Sequence, residues 1–410
     1  MALKDDCNHI ISAALEAAQP DTAVKKALSE INFGCGRLIL IAVGKASWQM
    51  ATAAYDSLGK RISKGIVITK YGYSNGPIGN LKIFEAGHPI PDSSSYTATQ
   101  EVIELVSSLS ANDSVLFLLS GGGSALFEKP LIPEEDLKAL TNKLLSSGAD
   151  IVEINTIRKR MSAVKGGRFA EICAPAKVFT VILSDIIGNP VDMIASGPAY
   201  PDSSNCSDAL NIIDKYSIPL TPLMQELINR ETPKSLNNVE TFITGSVTQL
   251  CLAAEKECIS LGYKPIILTD SLSCIAREAG VFLSNIAKYY QNSKSCLAFI
   301  MGGETIVQVK GAGLGGRNQE LVLSALPGIS GFDNTAIFSI GSDGTDGPTD
   351  AAGGYCDNES FEILKSKDIN VHTFLENNDS YHALQKCDGL IFTGPTGTNV
   401  NDLTVLLIKR

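Results

Sequence analysis

The sequence predicts a two-domain α/β protein, and three observations carry that prediction. At 410 residues the chain exceeds what one hydrophobic core usually serves, so two domains are expected. Apolar residues make up 44% and charged residues 19%, a balance that a generally disordered chain does not have. Short β-branched or aliphatic runs alternate with glycine or small polar loops and alanine-rich helical stretches. That alternation predicts parallel sheets covered by helices.

In chain order, residues 5–28 place Ile10, Ala14, Ala17 and Ala18 at helical spacing and predict one helix. Residues 37–43 predict a strand that enters Gly44-Lys45 and then a helix. Residues 114–119 predict a second strand, followed by Ser120-Gly121-Gly122-Gly123-Ser124 and another helix. Residues 177–183 predict a third, leading into a long loop from Ser184 to Asp202. The polar stretch 232–238 reads as a linker, which divides the chain into domains 1–236 and 237–410. Beyond it, strands are expected at 241–243, 264–268, 295–300, 306–309, 335–340 and 403–408. A cleft between two such domains is where a ligand site is expected.

Composition also excludes classes. The longest apolar runs fall far short of the roughly 20 residues of a membrane helix, so no membrane span is expected. A net charge of −10 argues against a nucleic-acid surface. Ten cysteines without a CxxC pair fit neither a zinc site nor a disulfide framework. They read as reduced thiols, with a cytoplasmic location expected.

Several loops hold residue types that carry chemistry. The Ser120–Ser124 loop can turn backbone N–H groups toward a phosphate, with a following helix N-terminus adding positive potential; without a ligand it is a tight turn. Lys45 stands outside a strand's carboxyl end, where open α/β sheets bind ligands, although a solvated lysine could stand there too. Arg158, Lys159, Arg160, Lys165 and Arg168 form a basic cluster suited either to an anion or to internal ion pairs. Asp185 and Asp343 each follow a predicted strand, as a Mg²⁺-holding or proton-accepting carboxylate does; an Asx turn explains such aspartates equally. Gly311-Ala-Gly-Leu-Gly-Gly316 satisfies the dinucleotide pattern GxGxxG but lies late in the chain, and Arg317-Asn318 directly after it suits an oxyanion better. Thr396 and Asn399 lie in a polar loop, 393–402, able to line a ligand. His88 in GHPIPD reads as a turn residue ahead of a base.

Taken together, SGGGSALFEKP, NTIRKRMSAVKGGR, SDIIGNPVDMIASGPAYPD, GGETIVQVKG, GLGGRNQEL, SDGTDGPTDAAGG and TGPTGTNVNDL resemble the glycerate 2-kinase family, whose second domain is called MOFRL. The resemblance runs from about Val43 to the C-terminus. It implies a Rossmann-like first domain, a smaller α/β second domain and ATP-dependent phosphorylation of D-glycerate at O2, with Mg²⁺. By motif position it implies catalytic roles for Lys45, Arg317, Asp185 and Asp343, with Asp185 and Asp343 on the metal. The Ser120–Ser124 loop would then hold ATP, and Lys45, Arg317, Asn318, Thr396 and Asn399 would contact substrate. A homodimer is compatible with this reading; nucleic-acid and membrane partners are not expected. The competing activity is an NAD(P)H-dependent hydroxypyruvate reductase, resting on GxGxxG alone.

Overall fold

The computed structural model describes residues 3–184 and 192–410. It contains two compact units. Among the described residues, one comprises 23–184 and 192–244, and the other combines 3–22 with 245–410. The division therefore differs from a single cut at residue 236: the first residues of the chain go with the last.

In the first unit, β1 (Leu38–Val43), β2 (Ile62–Lys70), β3 (Lys82–Ala86), β4 (Ser114–Leu119), β5 (Lys177–Leu183) and β6 (Val239–Gly245) form one sheet in the order β3-β2-β1-β4-β5-β6. The pairs β3–β2, β2–β1, β1–β4 and β4–β5 are parallel. Every residue of β1 and β4 is buried, as expected of central strands covered on both faces. This strand order is that of a dinucleotide-type doubly wound sheet, with its reversal between β1 and β4. The segment 241–243, expected to begin the second domain, lies within β6 of this sheet.

The second unit holds β7 (Lys264–Leu272), β8 (Leu297–Gly303), β9 (Thr335–Gly341), β10 (Gly353–Asp357), β11 (Leu390–Ile391) and β12 (Asp402–Ile408), ordered β11-β10-β9-β12-β8-β7. Only β7–β8 is parallel here; β12 runs antiparallel to both β8 and β9, and β9 to β10. The expectation of parallel sheets throughout is thus corrected. No crossover helix separates β9 from β10, only the loop 342–352, so the chain simply doubles back.

Both faces of β12 are covered. Leu403, Val405 and Leu407 pack with Leu250, Cys251 and Ala254 of the helix Val247–Ser260. Leu406 and Ile408 point the other way, toward Leu283 and Leu326 of the helices Ala276–Tyr290 and Arg317–Ile329. The period of two decides which face each residue serves.

The single helix expected over 5–28 is two helices, Leu3–Ala17 and Pro20–Glu30. Pro20 starts the second, where its missing N–H costs nothing. Cys7, Ile10, Ile11, Ala14 and Ala18 join the core of the second unit, whereas Ala23, Val24 and Ala27 join that of the first.

Candidate functional site

Val43 and Leu119 end β1 and β4 side by side, so Gly44-Lys45 and the Ser120–Ser124 loop emerge together. Ser120 staples them. Its Oγ accepts from the Ala46 N–H at 3.1 Å, and the Lys45 N–H donates to the Gly121 carbonyl at 2.9 Å. Gly44 adopts φ +125°, and a Cβ there would lie 2.2 Å from Ser120 Oγ, so only glycine fits. Gly122 is left-handed at φ +87°; a Cβ on it would sit 3.0 Å from His88 Cδ2, 3.2 Å from His88 Nε2 and 3.3 Å from Lys45 Cγ. Lys45 is exposed. Strand ends β1, β3 and β4 therefore bring Lys45, His88 and Gly122 to one spot.

The helix after the loop is a single turn, Gly123–Leu126. The dipole contribution expected of a full helix N-terminus is correspondingly small. Beneath the loop, fully buried Lys165 donates to the carbonyls of Ser124 at 2.7 Å and Phe127 at 3.0 Å. Ser124 Oγ lies 2.9 Å from Ser196 Oγ, which donates to Asn155 Oδ1 at 3.1 Å.

The basic cluster resolves into internal pairing. Lys159 contacts Asp202 at 3.0 Å, and Arg160, wholly buried, reaches Asp202 at 3.7 Å and Glu231 at 3.6 Å. Lys165 and Arg158 flank the buried carboxylate of Glu128 at 3.4 and 3.6 Å. Arg168 donates to the carbonyls of Lys159, Arg160 and Ser162. Desolvation is the dominant influence on Lys165 and lowers its pKa to about 8 despite the Glu128 charge.

In the second unit Arg317 opens the helix Arg317–Ile329. Its Nε donates to Asp402 Oδ2 at 2.5 Å and its Nη2 to Asp402 Oδ1 at 2.9 Å, while Nη1 lies 3.0 Å from Glu304 Oε1. Burial opposes the guanidinium's charge, but Asp402, then Glu304 and Asp346, outweigh it and raise its pKa. The charged form is secure. Asn401, left-handed at φ +68°, donates to Glu304 Oε2 at 3.3 Å, and its buried Oδ1 has no partner among the described residues.

Asn318 is buried, and both ends of its amide are engaged: Nδ2 donates to Asp346 Oδ1 at 3.2 Å and Oδ1 accepts from Ser339 Oγ. It anchors the helix start. Asp346 accepts in addition from the N–H groups of Asn318 and Gln319, at 3.1 and 2.9 Å, so a buried carboxylate caps this helix. Asp343 Oδ1 accepts from Thr345 N–H and Oγ1 in an Asx turn. Thr396 donates to the Ser342 carbonyl, and Asn399 is exposed. Asp185 lies outside the described residues. Among those described, no group of three His, Cys, Asp or Glu side chains is arranged to hold a metal ion.

The GxGxxG stretch is a packed corner. Cβ atoms on Gly311, Gly313, Gly315 and Gly316 would fall 2.1 to 2.4 Å from Asn377, Asp379, Ser380 and Asp346 atoms. The N–H groups of Gly311, Ala312, Gly313 and Leu314 donate to Asn378, Asn377 and Asp379. These glycines make room for neighbouring chain, and the amides of the first four residues are engaged within it. The strand expected at 306–309 is one bridge, Ile306 to Ile275, with Ile306 and Val309 exposed.

Sequence reasoning assigned no role to Glu304 or Ser196, and reached Asn401 and Asp402 only as members of the 393–402 loop. Asp402 had a signal: an acid opening an otherwise apolar run.

Residues 6–229 match a domain of unknown function, DUF4147, and residues 297–402 match the MOFRL family. A D-glycerate 2-kinase from Thermotoga maritima is 51% identical, covering 99% of both chains. The solved structure of glycerate kinase from that organism superposes with a TM-score of 0.95 over 99% of each chain. A glycerate 2-kinase from Pyrococcus horikoshii is 38% identical over 97% of this chain and 96% of its own. A putative hydroxypyruvate reductase from Agrobacterium vitis is 36% identical over 91% of this chain and 100% of its own. With both family regions present and full-length kinase relatives at this identity, the chain belongs to the glycerate 2-kinase family.

Proposed function

We propose that this enzyme transfers the γ-phosphoryl group of ATP to O2 of D-glycerate, giving 2-phosphoglycerate and ADP. The single observation that carries the reading is the β1/β4 switch point, where exposed Lys45 stands against Gly122, a left-handed glycine at which a side chain would crowd Lys45 and His88. Phosphoryl transfer needs chiefly positioning and charge neutralisation, which an ammonium and backbone N–H groups supply. The O2–P bond forms as the bond to the β–γ bridging oxygen breaks, and the hydroxyl proton leaves to a carboxylate. Asp185 and Asp343 are the carboxylates offered for that step on sequence grounds.

Mg²⁺ fits this chain as a cation carried with the nucleotide. Such an ion keeps several waters and takes one or two protein carboxylates beside the phosphates. Asp343, engaged through Oδ1 alone in its Asx turn, suits that limited role. When bound, the ion neutralises charge on the transferring phosphates. Arg317, its fork held by Asp402 and Glu304, contributes its positive charge, with Thr396 and Asn399 in the neighbouring loop. The chain's ten free cysteines support a cytoplasmic setting, and none of the described helices is long and apolar enough to cross a membrane.

The reductase reading is weakened, because in the glycine loop on which it rested the N–H groups of Gly311, Ala312, Gly313 and Leu314 already donate within the chain. The test mixes purified protein with ATP, Mg²⁺ and D-glycerate and follows the product by phosphorus NMR. 2-Phosphoglycerate is expected. A 3-phosphoglycerate product, or none, overturns the proposal, and NADH oxidation with hydroxypyruvate would replace it with the reductase.

A further inference from the structure

His88 sits in the loop after β3, two strands away from β1, yet its ring reaches the switch point. The turn that carries it is closed by other groups. Gly87 passes so close to Ile90 and Asp92 that a Cβ would lie 2.6 Å from the Ile90 carbonyl. Asp92 caps the helix Ser93–Val106 and accepts from Tyr71 OH at 2.9 Å. Among the described residues the imidazole has no hydrogen-bond partner, so it does not hold the turn that the sequence assigned to it. Its Nε2 edge instead faces Gly122, with the Lys45 side chain alongside.

We propose that His88 is a further substrate-contacting residue, whose imidazole hydrogen-bonds the oxyanion held between Lys45 and the Gly122 backbone. The inference rests on the kinase reading above and extends it to a third strand end. The charged groups that act on the ring are Lys45 from the end of β1 and Lys70 from the end of β2. Partial burial, then Lys45 and Lys70, hold its pKa below the ordinary histidine value. The ring is therefore neutral at neutral pH and offers one N–H donor without adding a third competing cation. The oxyanion chemistry is shared by two sources, the phosphates of ATP and the carboxylate of D-glycerate.

The chain has only four histidines, His9, His88, His372 and His382, so imidazole ¹⁵N NMR resolves the question directly. The resonance missing from His88→Asn identifies His88. In the wild-type protein that resonance is expected to move on adding inorganic pyrophosphate or D-glycerate, while the other three stay still. Calorimetry on His88→Asn and His88→Gln, checked for an unchanged thermal midpoint, separates the sources. Affinity reduced roughly ten- to hundredfold for a non-hydrolysable ATP analogue assigns the phosphates, and the same loss for D-glycerate assigns the carboxylate. A His88 resonance unmoved by both probes, with both affinities unchanged, overturns the proposal. If the protein forms no 2-phosphoglycerate but pyrophosphate still moves the His88 signal, the kinase reading fails and the oxyanion contact stands.

Discussion

Arg317 and Asp402 meet in a two-point ion pair, 2.5 Å from Nε to Oδ2 and 2.9 Å from Nη2 to Oδ1, across 85 residues of sequence. The pair changes what removing the arginine should do. The Asp402 side chain is 6% exposed and the Arg317 side chain 34%, so Arg317→Ala leaves a buried carboxylate without its counter-ion. We expect it to cost about 2–3 kcal/mol in denaturant unfolding, less than the 3–5 of a fully buried pair. The double variant Arg317→Ala/Asp402→Asn should recover most of that stability while staying inactive. Full stability in Arg317→Ala alone would show that the pair does not hold the fold.

Lys45 predicts the opposite profile. It is exposed and forms no ion pair among the described residues, so Lys45→Met should leave the thermal midpoint in place. Its kcat should fall on the order of 10³, as for other cations that act on a transferring phosphoryl group. Turnover near the wild-type value would remove Lys45 from the site.

Gly122 tests the loop. Alanine at φ +87° costs about 1–2 kcal/mol in backbone strain alone, and its Cβ would press on His88 and Lys45. Gly122→Ala should remain folded and bind the ATP analogue at least tenfold more weakly, read by calorimetry. Unchanged affinity in the folded variant would make the loop a turn and nothing more.

At Gly311 a Cβ would meet the Asn377 backbone at 2.3 to 2.5 Å, which cannot give way as a side-chain tip would. Gly311→Ala is expected to lose roughly 1–3 kcal/mol by overpacking. NADH should not shift the thermal midpoint of the wild-type protein. A clear NADH-induced rise would revive a dinucleotide site there.

Asp346 gives a pH signature. Burial pushes its carboxyl from 3.8 up to about 6, with the Gln319 and Asn318 N–H groups opposing. The folded chain then binds this proton more firmly than the unfolded chain does. Stability from this group is present in full below about pH 4 and is lost as pH rises toward 6. The difference in unfolding free energy, wild type minus Asp346→Asn, should fall by about 2–3 kcal/mol over that interval. A flat or rising difference would contradict it.

The strands that were legible are those buried on both faces, such as LILIAV at β1 and SVLFLL at β4, where a continuous apolar run leaves no other reading. Strands at the sheet margins were not. β3 is KIFEA, short and charged at the edge, and β2 carries Lys64 and Gly65 within its run. β10 begins with two glycines because Gly353 lies so close to Ser339 that a side chain would collide with its carbonyl. That requirement comes from the neighbouring strand, and the residue itself reads as a turn. The site divided in the same way. Lys45 and the glycine loop announce themselves locally, since a strand end and its loop are contiguous. Asp402 and Glu304 reach Arg317, and His88 reaches the neighbourhood of Gly122, only through the sheet, and nothing local marks these approaches. For the basic cluster the sequence left an anion site and internal ion pairs both open; the structure shows the pairs, and local sequence could not decide because the acids Glu128, Asp202 and Glu231 come from elsewhere in the chain.

The helix Leu3–Ala17 makes one unit an insertion inside the other. During synthesis the first seventeen or so residues emerge with an apolar stripe whose partners, Leu250, Cys251 and Ala254, are among the later segments made. The unit built from residues 23–184 and 192–244 is completed by the ribosome before the other, and domains generally fold as they appear. The opening helix must wait, tethered, until β12 closes the second sheet at the extreme end of the chain. A fragment starting at Gly245 would therefore bare the Val247–Ser260 helix face that this helix covers.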